Sequence, residues 1–111
     1  MTLDEYQAAS LRTASWAATK EESLAILGLG IVGEAGEVAD YIKKVIGHGH
    51  AMEVDRLVKE IGDVLYYVSM IATLVGVELS VVAQVNIDKL KARYPVKFET
   101  ELSINRAPDD T

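Results

Sequence analysis

Two copies of one short pattern constrain the fold more than any other feature of the chain. The first is Glu34-Ala35-Gly36-Glu37-Val38-Ala39-Asp40-Tyr41-Ile42, and the second is Glu60-Ile61-Gly62-Asp63-Val64-Leu65-Tyr66-Tyr67-Val68. Both read as acid, any residue, Gly, acid, Val, two free positions, Tyr and a β-branched residue. On a helix, residues three, four and seven apart share a face. Glu34 therefore falls between Leu27, Ile31, Val38, Tyr41 and Val45, and Glu60 among Leu57, Val64, Tyr67, Val68 and Ile71. Glu37 and Asp63 sit on the flanks of these apolar stripes, while Asp40, Lys43 and Lys44 point elsewhere. Two antiparallel helices packed along the stripes would bring all four carboxylates into one pocket.

Solvated surface acids are the usual fate of Glu and Asp, but the stripes are where a core must form. Gathering like charges there costs several kcal/mol per ion unless something neutralises them. Hard oxygen ligands without sulfur suit Mg²⁺, with Mn²⁺ as a substitute, which makes Glu34, Glu37, Glu60 and Asp63 candidate metal ligands. A buried network in which Lys89 and Arg93 pair with the acids is the alternative. Gly28, Gly30, Gly33 and Gly36 share one predicted helix, where each costs about 1 kcal/mol relative to Ala. They imply room for a neighbouring backbone or a ligand, or else a helix broken near Gly28 and Gly30.

The chain has 111 residues, enough for one domain with one core. Its 50% hydrophobic content is high for an acidic chain, and suggests apolar surface buried between subunits. There is no cysteine, so disulfide and thiolate chemistry are excluded. A net charge of −6 disfavours general binding to nucleic acid or anionic lipid, though not an anionic substrate that arrives with Mg²⁺. The N-terminus lacks a basic and apolar signal segment, and the most apolar run is shorter than the roughly 20 residues of a membrane span. A soluble, cytoplasmic protein without a membrane partner is expected.

Thr2 and Glu5 have capping-box spacing and open a first helix over residues 3–18, which carries Tyr6, Gln7, Arg12 and Trp16. Thr19 and Glu22 repeat the signal and open a second helix reaching residue 46. Gly47-His48-Gly49-His50 reads as a helix stop and surface connector. A third helix is expected over 53–74, stopped near Gly76, and a fourth over 79–94, ended by Pro95. No segment alternates with period two for long enough to be a strand. The expectation is an all-α, four-helix bundle-like domain over residues 1–95 with an irregular tail over 96–111. Leu65, Tyr66, Met70 and Ala72 lie away from the Glu60 stripe, so the third helix is apolar nearly all round and expected to be buried on more than one side.

Asn86, Lys89 and Arg93 fall on one face of the fourth helix with Leu79, Val82 and Leu90. Lys and Arg near a helix C-terminus also suit the macrodipole. Set against a carboxylate cluster, they make better phosphate ligands: Arg bidentate, Lys a point charge, Asn a donor and acceptor. Tyr6 and Trp16 are aromatic residues of the kind that fill cores, or that stack on a base.

These residues resemble the MazG-like all-α nucleoside triphosphate pyrophosphohydrolases, in their small single-domain branch. The family signature, Glu-x-x-Glu followed after a gap by Glu-x-x-Asp, is matched by Glu34, Glu37, Glu60 and Asp63. Further matches are Gly62-Asp63-Val64, Asn86, Lys89-Leu90, Arg93-Tyr94-Pro95, Glu5-Tyr6-Gln7 and Ser103-Ile104-Asn105-Arg106. The resemblance implies Mg²⁺-dependent cleavage of a nucleoside triphosphate between the α and β phosphates, as nucleotide-pool house-cleaning. It implies metal ligation by the four acids, with Glu37 and Glu60 catalytic and Glu37 acting as base through a water. Lys89 and Arg93 would hold the β and γ phosphates, Asn86 the sugar or phosphate, and Tyr67 the sugar pocket. A fold completed by a homodimer or homotetramer is implied as well. Phosphoribosyl-ATP hydrolysis within the same superfamily and a non-catalytic helical interaction module are the competing readings. A di-iron bundle would need Glu-x-x-His pairs, which neither acidic motif supplies.

Overall fold

The computed structural model describes residues 1–110, and they form an all-helical chain. Its elements are α1 (Leu3–Ser10), a 3₁₀ turn (Leu11–Thr13), α2 (Lys20–His48), α3 (Val54–Leu74), α4 (Leu79–Arg93) and α5 (Thr100–Ile104). They fall into two compact units, residues 1–79 and 80–111. The predicted single domain over 1–95 thus meets a division after Leu79. The last residue of the predicted tail, Thr111, lies outside the described residues.

In the first unit α2 and α3 form an antiparallel pair. Tyr41 meets Glu53 near the connector, Glu34 lies near Glu60 and Asp63, and Gly30 meets Tyr67, so numbers rise along α3 as they fall along α2. The connector end is pinned by Tyr41, only 3% exposed, whose hydroxyl accepts the Glu53 backbone N–H at 2.8 Å. The Arg56 guanidinium covers the same ring at 4.6 Å from its centroid. Gly49, with φ 73°, ends α2 in the left-handed conformation that glycine adopts without strain. At the far end the Tyr67 ring lies directly on Gly30, where an added Cβ would stand 2.6 Å from the ring Cζ.

α1 lies antiparallel along the other side of α3. Gln7 donates to Thr73 Oγ1 at 3.0 Å, Ser10 and Ser69 share a 3.1 Å hydroxyl bond, and Thr13 reaches the Tyr66 hydroxyl at 3.2 Å. This covers the second apolar side of α3: Ser69, Met70 and Ala72 are buried. Gln7 is itself buried and uses every group it has. It also donates to the Val77 carbonyl at 2.9 Å, and its Oε1 accepts the Leu79 N–H at 2.7 Å, fixing the chain around the left-handed Gly76.

The first helix is shorter than the predicted 3–18. Its capping box forms as expected, with Thr2 and Glu5 bonding reciprocally. The Ser10 hydroxyl then takes the Gln7 carbonyl at 2.8 Å, the turn tightens, and the chain leaves in extended conformation at Ala14. Trp16 is consequently 45% exposed on a connector rather than packed in a core. The predicted irregular tail carries one short helix, α5.

Two substitutions separate the close approach from mere helix propensity. Gly30→Ala is expected to cost about 1–3 kcal/mol, because the Tyr67 ring must move. Gly47→Ala, where nothing lies within 4 Å of the added Cβ, is expected to gain up to about 1 kcal/mol. Urea unfolding midpoints check both, and equal shifts would show that the Tyr67 contact has no energetic weight.

Candidate metal centre

The pinned α2–α3 pair determines what happens between its ends. Glu34 on α2 meets Glu60 and Asp63 on α3, and one carboxylate oxygen from each lies within 4.8 Å of the others. Glu34 and Glu60 are half-buried and Asp63 is exposed, so the cluster stands at the rim of the helix pair rather than inside the core. The core proper is Leu27, Tyr41, Met70, Ala72 and Leu79. The helical stripes are real, since Ile31, Val38 and Val45 are also partly covered, but in the single chain the acids keep one side open.

The electrostatics of Glu34 record the crowding. Its carboxyl is pushed above the usual carboxylate range first by desolvation, then by the charges of Asp63, Glu60 and Glu37. Every contribution raises it, and none of those acting on Glu34 comes from a cation among the described residues. Glu37 is exposed and outside the three-carboxylate group, yet close enough to act on Glu34. Lys43 and Lys44, the nearest cations along α2, are both engaged by Asp40 at 3.2 and 2.9 Å. An all-oxygen set of converging anions with unrelieved repulsion fits a hard divalent cation.

Tyr67 is half-buried, with its ring held between Gly30 and an edge contact to Tyr66 at 5.6 Å. Tyr6, read from sequence as a core-filling or base-stacking aromatic, faces the same region. Burial first, then the charges of Tyr66 and Asp63, push its phenol up. The only sequence signal for it is its place in Glu5-Tyr6-Gln7.

Asn86, Lys89 and Arg93 belong to the second unit. Asn86 and Lys89 are exposed. Arg93 is held by Asp110 in a bidentate pair, Nε to Oδ2 at 2.8 Å and Nη2 to Oδ1 at 2.7 Å. Tyr94 packs against Phe98 with ring centroids 5.1 Å apart. His48 and His50 are exposed, 6.4 Å apart, and take no part in the acidic group. Among the described residues no single helix is long and apolar enough to cross a membrane.

The repulsion at Glu34 predicts how stability depends on pH. The folded state keeps a proton on Glu34 that the unfolded chain releases near the ordinary value of 4.5, so this residue's contribution declines as pH rises above that value. Glu34→Gln is therefore expected to melt higher than the parent at pH 7.5 and to lose that advantage near pH 4. MgCl₂ should raise the parent's Tm at pH 7.5 beyond an ionic-strength control, and should do so less for Asp63→Asn. Melting curves that run parallel across pH would overturn this electrostatic reading.

The family model for the MazG nucleotide pyrophosphohydrolase domain matches residues 22–98, which include both acidic motifs and all of α4. A relative, "Gene 37 protein" of Mycobacterium phage L5, is 37% identical over 101 residues, covering 84% of this chain and 89% of the relative. No solved structure matches the chain. With the paired motifs brought together on one helix pair inside that matched span, the chain belongs to the MazG nucleotide pyrophosphohydrolase family.

Proposed function

We propose that the protein is a Mg²⁺-dependent pyrophosphohydrolase that splits a nucleoside triphosphate between the α and β phosphates, releasing a nucleoside monophosphate and pyrophosphate. The observation that carries this is the convergence of Glu34, Glu60 and Asp63 within 4.8 Å, inside the span that matches the family. Glu34, Glu60 and Asp63, with Glu37 beside them, hold Mg²⁺, or Mn²⁺ in its place. Bound there, the ion neutralises polyphosphate charge and acidifies a water. Glu37 and Glu60 are the catalytic carboxylates. Glu37 is exposed and takes the proton of the attacking water, while Glu60, half-buried, keeps its place in the cluster through the turn. Lys89 and Arg93 neutralise the β and γ phosphates and Asn86 bonds the sugar or phosphate. Tyr67, fixed on Gly30, offers a rigid wall for the sugar. House-cleaning of the nucleotide pool in the cytoplasm is the role this chemistry serves.

Homo-oligomerisation, as a dimer or tetramer, belongs to the same proposal. α1 covers the C-terminal half of α3 within the chain, while Val58 and Ile61 nearer its start stay 58 and 51% exposed. The outer face of α2 is more open still: Ile26, Leu29 and Val32 are 60, 76 and 70% exposed.

Pyrophosphate release from a panel of NTPs and dNTPs, with MgCl₂ and with EDTA, tests the activity. Glu60→Gln and Asp63→Asn are expected to lose about a hundredfold or more in kcat/KM. Losses of only a few fold would remove these residues from the site. Sedimentation at micromolar concentration should show an oligomer that Leu29→Glu weakens; a monomeric parent would overturn the assembly.

A further inference from the structure

The bidentate pair at the end of α4 engages a residue that the proposed reaction needs for phosphate. Arg93 is only 11% exposed at its side chain and Asp110 23%, so the pair is shielded well beyond an ordinary surface contact. The Nε/Nη2 edge of the guanidinium, one of the two edges that can grip an oxyanion with paired donors, is directed at the two oxygens of Asp110. We propose that Asp110 is a built-in competitor: its carboxylate occupies an anion site formed by Arg93, Lys89 and Arg106, and an incoming polyphosphate must displace it. This rests on the reading that Lys89 and Arg93 are phosphate ligands, and it adds Arg106 to the site and a regulator to the tail.

Three observations within the second unit support it. The Asp110 carboxyl is held below the usual carboxylate range, chiefly by its hydrogen bond to Arg93; burial opposes this, and the charges of Arg93, Arg106 and Lys89 add to it. Three cations thus act on this carboxylate, and a polyphosphate, with several negative charges, would engage them more strongly than one carboxylate does. The tail that brings Asp110 to the site is weakly anchored, since no residue of α5 is buried. Its release therefore forfeits little packing. Tethered to the same chain, the carboxylate acts at a high effective concentration and weakens phosphate binding without blocking it.

Inorganic pyrophosphate in MgCl₂ buffer is the probe, with binding followed by calorimetry. Asp110→Asn, its fold checked by a melting curve, should bind roughly fivefold tighter than the parent, the factor that loss of an ion pair of this kind corresponds to. Arg106→Gln placed on Asp110→Asn should weaken binding again. A measurement on the parent chain needs no variant: saturating pyrophosphate should shift the Asp110 backbone amide resonance. Equal or weaker binding by Asp110→Asn, or an unmoved Asp110 amide at saturation, overturns the proposal. Turnover of nucleotides without displacement would keep the hydrolase and remove the role of Asp110. Displacement without turnover of any nucleotide would keep the anion site and remove the hydrolase.

Discussion

The rest of the structure depends on the two pins that lock α2 against α3. At one end the Tyr41 hydroxyl holds the first turn of α3. At the other, Gly30 lets the Tyr67 ring lie on the α2 backbone. Between them the register allows no freedom: sliding one helix along the other would break the hydrogen bond or drive Tyr67 into a residue with a Cβ. Glu34 must then meet Glu60 and Asp63, although their charges oppose it. The stability spent on that repulsion comes from the packing of the two pins and from α1, whose Gln7 satisfies donors and acceptors on three parts of the chain. Strain of this kind concentrates at functional sites because the surroundings overdetermine it.

Much of this could be read from residue spacing alone, because helical periodicity is a local property. The stripe containing Leu27, Tyr41 and Glu34, the capping box at Thr2 and the stop at Gly49 all follow from residues within a few turns of one another. What spacing could not provide is tertiary. Four glycines in α2 signalled close approach, yet only Gly30 has a neighbour that a Cβ would strike. The early end of α1 depends on Ser10 bonding both the Gln7 carbonyl and Ser69, a residue 59 positions away. The apolar second side of α3 was expected to be buried, and α1 buries it around Ser69, Met70 and Ala72 while Val58 and Ile61 stay exposed. At the candidate site, three of the four acids come together as the pattern implied, while Glu37 stays outside on the exposed side.

Arg93 shows the same limit from the cationic side. Its position on α4 marked it as a phosphate ligand, and nothing in the spacing of Arg93 and Asp110 foretold that they would pair. A polar tail without apolar periodicity carries no pattern to read, so this pairing becomes visible only in the fold.

Each unit, taken by itself, gathers charges of one sign at one place. Glu34, Glu60 and Asp63 repel one another with no cation among the influences on Glu34. Arg93, Lys89 and Arg106 act on a single carboxylate. A bare divalent cation would relieve the first and leave the second, and a bare phosphate would do the reverse. A polyphosphate that arrives with its metal carries both signs, which is the chemistry the proposed reaction asks of its substrate. The net charge of −6 does not repel such a ligand as it would a bare polyanion, because the metal offsets much of its charge. The proposed chemistry draws on each neighbourhood separately, a cation for the carboxylates of the first unit and an anion for Arg93 of the second.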